Sequence, residues 1–227
     1  MNFALLLAGG SGVRLEAEVP KQFLHIAGKT IMEHTLDVFE QHPYIDEIVV
    51  VIQAQYKAKM EKILLNGNYQ KVKKIAEGGA ERLHSSWAAI EACKDYPNAN
   101  LIIHDAVRPM IDAETITKVI MALERYNAAT VAIPATDTIY EVEANHIHQI
   151  LDRKKLMRAQ TPQAFKQHII SKAYQIAFQQ NDFSATDDCG VVVKFLPQEP
   201  IFVVTGSERN LKITHKEDLA VIAEWLK

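Results

Sequence analysis

The chain has 227 residues, 48% of them hydrophobic and 23% charged, with a formal net charge of −3. That balance suits a globular fold with a sizeable core and excludes a duplex-binding surface or a polybasic membrane patch, so an anionic substrate must be met by local basic residues. Cys93 and Cys189 are the only cysteines, which excludes a disulfide framework and a C-x-x-C zinc site and fits a reducing compartment.

The apolar start, residues 1–7, has no basic flank and meets Gly9 and Gly10 too soon for a signal core or a membrane span. A cytoplasmic location is expected, with neither membrane nor nucleic acid as partner. Residues 3–8 and 48–52 read as strands buried on both faces, being short, apolar and rich in branched side chains. Leu83, Trp87, Ile90 and Cys93 then fall three or four apart and predict a helix. A strand over 101–103 follows, then Ile116, Ile120 and Leu123 on a helix capped by Asp112, then a strand over 130–133.

Residues 137–152 break this rhythm. Two short alternating runs around Glu143-Ala144-Asn145 predict a β-hairpin arm projecting from the sheet. An isolated hairpin is marginal in water, so the arm must pack on something, a second subunit being the natural surface. After a last strand over 201–204, Thr214-His215-Lys216-Glu217 reads as a capping box ahead of Leu219, Ile222 and Leu226. Alternating strands and helices predict one Rossmann-like α/β domain over residues 1–227, with a mostly parallel twisted sheet and helices on both faces.

The strongest motif follows the first strand: Ala8-Gly9-Gly10-Ser11-Gly12-Val13-Arg14, then Pro20-Lys21-Gln22-Phe23. Small residues there let backbone amides approach a phosphate, and Arg14 and Lys21 can reach the same anion. Other glycine-loop readings fail on spacing. The dinucleotide fingerprint needs glycine at Leu15. Gly28-Lys29-Thr30 ends like a P-loop but has Phe23 at the earlier glycine position, and a nucleophile elbow on Ser11 needs glycine at Val13.

Four further clusters carry candidate chemistry. Gly79 and Ser85 can offer contacts to a base edge, with Arg82 holding their loop. His104-Asp105-Ala106-Val107-Arg108-Pro109 ends a strand, where open α/β sheets bind ligands; Asp105 can hold Mg²⁺ there, and Arg108 can pair with Asp105 or with a second substrate. Thr138 and Arg153 flank the arm ahead of Thr161-Pro162-Gln163. Read alone, Thr138 is an ordinary strand threonine, Thr186 the N-cap of a helix, and Lys212 a surface lysine.

In this order the motifs resemble, over nearly the whole chain, the cytidylyltransferases that act on methylerythritol phosphate and ribitol phosphate. The resemblance implies that Ala8, Gly9, Gly10, Ser11 and Gly12 wrap the triphosphate of CTP. Arg14 and Lys21 would stabilise charge on its α-phosphate, and Lys212 would be a second clamp. Gly79, Arg82 and Ser85 would read cytosine. Asp105 would contact metal, nucleotide and acceptor, with Asn210 near the metal. Arg108, Thr161 and Thr186 would meet the acceptor, and Thr138 and Arg153 would grip its phosphate from the partner subunit's arm, which makes a homodimer. Mg²⁺ is the implied cofactor.

Chain length, Asp152-Arg153 and Ala159-Gln160-Thr161-Pro162-Gln163-Ala164-Phe165 favour methylerythritol 4-phosphate as acceptor. Ala8-Gly9-Gly10, Ala106-Val107 and Ala135-Thr136-Asp137 lean towards ribitol 5-phosphate. A catalytically silent CTP-binding module and a sugar-nucleotide transferase using UTP or GTP are the rival readings.

Overall fold

In the computed structural model, residues 1–10 and 19–226 are described. Strand β1 (Asn2–Leu7) lies in the interior of the sheet. Its side chains alternate between two apolar clusters: Phe3, Leu5 and Leu7 face one, Ala4 and Leu6 the other. Burying a strand on both faces requires such an unbroken apolar run. Each fully covered leucine contributes about 1.5–3 kcal/mol relative to exposure.

The second strand of the chain, β2 (His25–Ile26), pairs with β3 (Lys29–Thr30) in a small hairpin turned by Ala27 and Gly28, both at positive φ. The P-loop-like Gly28-Lys29-Thr30 is therefore a turn and a helix cap. Thr30 Oγ1 accepts from the Glu33 amide at 3.2 Å and the Glu33 carboxylate accepts from the Thr30 amide at 2.8 Å, starting α1 (Ile31–Gln41).

Parallel partners flank β1, with β4 (Glu47–Ile52) on one side. Helix α2 (Lys57–Gly67) leads on to β5 (Val72–Glu77), one edge of the sheet. Helix α3 (Arg82–Glu91) then crosses to β6 (Asn100–Asp105), the other parallel neighbour of β1. Helix α4 (Ala113–Ala122), capped by Asp112 as expected, precedes β7 (Ala128–Pro134).

The arm, β8 (Tyr140–Glu143) and β9 (His146–Ile150), turns through Ala144 and Asn145, both at positive φ as a two-residue hairpin loop demands. Its Tyr140, Val142, Ile147 and Ile150 are 51–60% exposed, left open by the described residues.

Strand β10 (Met157–Lys166) inserts antiparallel between β6 and β7 and runs directly into α5 (Gln167–Gln179). Helix α6 (Asp188–Phe195), β11 (Ile201–Thr205) and α7 (Lys216–Trp225) complete the chain. The sheet order is β11-β7-β10-β6-β1-β4-β5, parallel except for β10. Helices α1, α2 and α4 cover one face, α3, α5 and α6 the other, and α7 packs on a third cluster around Ile26, Ile31 and Val107. This is the expected α/β fold. Among the described residues no helix is long and apolar enough to cross a membrane.

Two local expectations need correction. The last capping box sits one residue later: the Asp218 carboxylate, not Glu217, accepts from the Thr214 and His215 amides at 2.7 and 2.8 Å. Strand β11 is an edge rather than doubly buried, leaving Phe202 and Val203 at 40% and 44% exposure.

Candidate active site

The chain runs from β1 to β4 and β5 on one side and returns to β6 on the other, so a crevice opens where the order reverses, beyond the carboxyl ends of the strands. A cavity of about 460 Å³ lies there. The turn after β1 forms its floor. Gln22 Nε2 donates to the Ala8 carbonyl at 2.6 Å and Gln53 Nε2 to the Gly9 carbonyl at 2.9 Å. Those carbonyls are thus satisfied, leaving the turn suited to an anion rather than a cation.

The loop between β5 and α3 closes over this turn. A Cβ on Gly9 would lie 2.9 Å from Ser85 Oγ, and one on Gly78 3.0 Å from the same atom. A side chain at either position would crowd the same buried serine hydroxyl.

Asp105 ends β6 and faces the cavity. Its Oδ2 accepts from Lys212 Nζ at 2.8 Å and its Oδ1 from Arg82 Nε at 3.3 Å, while Arg108 Nε lies 3.8 Å away. Burial alone would raise its pKa; Arg82, Lys212 and Arg108 outweigh that and hold the carboxyl far below the usual range. Burial pulls the pKa of Arg108 down, against Asp105, and its NH1 donates to the Asn210 carbonyl at 2.8 Å.

Behind Asp105 runs a neutral relay. The Asp105 amide donates to Thr161 Oγ1 at 3.1 Å; His104 Nε2 faces the Arg108 carbonyl at 3.2 Å and so carries the proton, which makes Nδ1 of the neutral ring the acceptor of the Thr161 hydroxyl at 3.0 Å. Burial lowers the pKa of His104 to about 4, which keeps it neutral. Asn210 Nδ2 donates to the Thr161 carbonyl at 2.8 Å.

Lysine 21 enters from the 3₁₀ turn Lys21–Phe23, and its Nζ donates to the Ile213 carbonyl at 2.9 Å. The cationic lining is thus Lys21, Arg82 and Lys212, the last two paired with the ionised Asp105; Glu81 is a second acid in the wall, and among the described residues the lining holds neither histidine nor cysteine. Such a site can position phosphates and absorb their charge; it has no conventional acid–base pair. Asp105 also fits Mg²⁺, a hard cation that takes one or two carboxylates alongside substrate phosphates.

Residues 3–227 match the sequence profile of 2-C-methyl-D-erythritol 4-phosphate cytidylyltransferase. The chain belongs to that family. It is 45% identical to the 2-C-methyl-D-erythritol 4-phosphate cytidylyltransferase of Thermobifida fusca, over 99% of this chain and 92% of the relative. It is also 45% identical to a bifunctional ribulose 5-phosphate reductase/CDP-ribitol pyrophosphorylase of Haemophilus influenzae, over 97% of this chain but 47% of that longer protein. The crystal structure of 4-diphosphocytidyl-2C-methyl-D-erythritol synthase from Anaerococcus prevotii superposes with a TM-score of 0.86 at 28% identity, covering 100% of this chain and 96% of that one. As a member of a cytidylyltransferase family, the protein is a nucleotidyltransferase.

Of the residues that the family pattern singles out, Ala8, Gly9, Gly10, Lys21, Gly79, Arg82, Ser85, Asp105 and Lys212 come together around the cavity. Ser11, Gly12 and Arg14 lie outside the described residues. Arg108, Thr161 and Asn210 stand behind Asp105 and do not line the cavity. Thr138 and Arg153 are exposed at the root of the arm, where Arg153 NH1 donates to the Thr136 carbonyl at 2.9 Å. Thr138 precedes β8 rather than lying within a strand. Thr186 is exposed and is not the cap of α6; Asp187 is, accepting from the Gly190 amide at 2.7 Å. The motif reading gave no role to Gln22 and Gln53, although Gln53 directly follows β4, and the ends of parallel strands are where such folds place ligand-facing groups.

Proposed function

We propose that this chain, as a single nucleotidyltransferase domain, joins CTP to 2-C-methyl-D-erythritol 4-phosphate, forming the CDP-alditol and releasing pyrophosphate. The observation that carries the reading is the cavity at the ends of β1 and β6, lined by Lys21 and by Asp105 with its ion-pair partners Arg82 and Lys212. A phosphate oxygen of the acceptor attacks the α-phosphorus of CTP in line, the Pα–O–Pβ bond breaks, and its electron pair leaves with pyrophosphate. The attacking oxygen is already anionic, so no side chain need remove a proton, and catalysis is positioning plus charge stabilisation. Lys21 and Lys212, with Arg14, neutralise the triphosphate; Gly79 and Ser85 meet the base. Asp105 would hold Mg²⁺, which would supply further neutralisation of the triphosphate charge.

The uncovered apolar face of the arm supports a homodimer in which Thr138 and Arg153 serve the partner's acceptor site. The reducing-compartment composition supports a cytoplasmic location. A second acceptor, ribitol 5-phosphate, is favoured by the Haemophilus influenzae relative. Purified protein with CTP, Mg²⁺ and each acceptor in turn, followed by pyrophosphate release, tests the proposal. Release with methylerythritol phosphate alone supports it, release with ribitol phosphate alone transfers the assignment, and silence with both removes it.

A further inference from the structure

Asp188 is the first residue of α6 and is wholly buried. A carboxylate so placed must be paired or it neutralises. Its Oδ1 accepts from Tyr174 Oη at 2.6 Å, and its own amide donates to Gln163 Oε1 at 3.0 Å. Arg82 NH2 lies 2.8 Å from its Oδ2, an ion pair set off the ideal hydrogen-bond line. The same guanidinium donates through Nε to Asp105 at 3.3 Å. One cation therefore stands between two acids, one in the core behind α3 and one at the cavity.

We propose that Asp188 is a positioning residue for the nucleotidyl transfer, acting through Arg82. The inference rests on the cavity's role given above. Arg82 opens α3 directly after the Gly79 loop, so its placement sets that loop and the orientation of Asp105 together. Held from behind, the guanidinium cannot close on Asp105 as a fork, and the carboxylate stays available to the cavity. With a neutral group at 188 the rear attraction is lost, and Arg82 collapses onto Asp105 or swings into the nucleotide space.

Asp188→Asn is nearly isosteric. It removes the charge while Tyr174 can still donate to Oδ1 and the backbone bond to Gln163 remains. Its kcat/KM for CTP is expected to fall roughly tenfold or more, shared between weaker CTP binding and slower turnover. A cycle with Arg82→Ala supplies the reading that a merely structural role would not move. If Asp188 acts through Arg82, the double variant is no worse than Arg82→Ala alone. Activity of Asp188→Asn within about twofold of wild type, or losses that multiply in the double variant, would overturn the inference.

Where Asp188→Asn does not fold, Tyr174→Phe removes only the hydroxyl that orients Asp188. A loss of about threefold that Arg82→Ala absorbs supports the proposal, and unchanged activity sinks it. A wild-type chain that turns over neither acceptor would overturn the proposed activity instead; the same cycle is then read on CTP affinity by calorimetry.

Discussion

Gly9→Ala probes how the two loops over the cavity fit together. The added Cβ would lie 2.9 Å from Ser85 Oγ, closer than a carbon normally approaches an oxygen, and 3.8 Å from Ser85 Cβ, an ordinary contact. The hydroxyl cannot easily retreat, because Ser85 is only 4% exposed. Overpacking of this kind costs about 1–3 kcal/mol. At about 2–4 °C per kcal/mol for a chain of this size, the unfolding midpoint should drop by roughly 2–12 °C.

Adding Ser85→Ala removes the offending oxygen and leaves only the ordinary contact, so stability should return towards wild type. Use of CTP should not return, because the methyl still stands in the turn proposed to receive the triphosphate and a base contact has gone. Thermal unfolding and pyrophosphate release at varied CTP separate the two effects. If Gly9→Ala melts with wild type and the second substitution changes nothing, the loops do not meet at Ser85. If the double variant recovers both stability and CTP use, the turn has no part in the nucleotide site.

Lys21→Ala and Lys212→Ala are each expected to lower kcat/KM by about 10²–10³, the usual cost of losing one charge-stabilising donor, with a normal circular dichroism spectrum; near-wild-type rates in both would remove the proposed chemistry. His104, with its pKa lowered to about 4 by burial, refuses a proton that the unfolded chain accepts near pH 6.5. Fewer protons on the native state means stability is lost as pH falls through that window, by about 3 kcal/mol in all. Urea unfolding of wild type and His104→Gln at pH 7 and 4.5 checks this, and parallel curves for the two would contradict it. Val142→Glu with Ile147→Glu should abolish the proposed dimer in sedimentation, whereas an unchanged species would show that the arm's apolar face is not the interface. Lys21→Ala and Arg153→Ala, each silent alone, should regain about a quarter of wild-type activity when co-refolded one to one, since half the dimers are mixed and one of their two sites is intact; continued silence would argue against sharing of the arm.

What could be read from the sequence was what has a local signature. The strand at β1 announces itself by continuous apolarity, α4 by its period and Asp112, the arm by Ala144-Asn145 between alternating runs. Strand β5 reads only as a short strand of unmarked bounds ahead of Gly78, and β10 lacks such a signal. Lys73 and Lys74, two exposed residues in succession, break the alternation of β5 where its pairing with β4 shifts register, and Pro162 breaks that of β10, whose pairing shifts between Ala159 and Gln163. The glycine turn, Lys21 and Asp105, which meet at one cavity, stood out in the sequence because few residue types suit a close approach to the phosphate proposed there. Gln53 did not, since a glutamine after a strand has many possible uses, and its partner Gly9 is 44 positions away. Asp188 shows the limit most clearly. Beside Asp187 it reads as one of two acids at a helix start, and the helix needs only one as its cap. That the other is driven wholly into the core, against Tyr174 and Arg82, follows from the packing of α3, α5 and α6 on one face of the sheet. Periodicity locates the helices that make such a cluster. The pairing inside it is set by three elements arriving together, so a buried charge becomes interpretable only once its counter-ion, far off in the chain, is known.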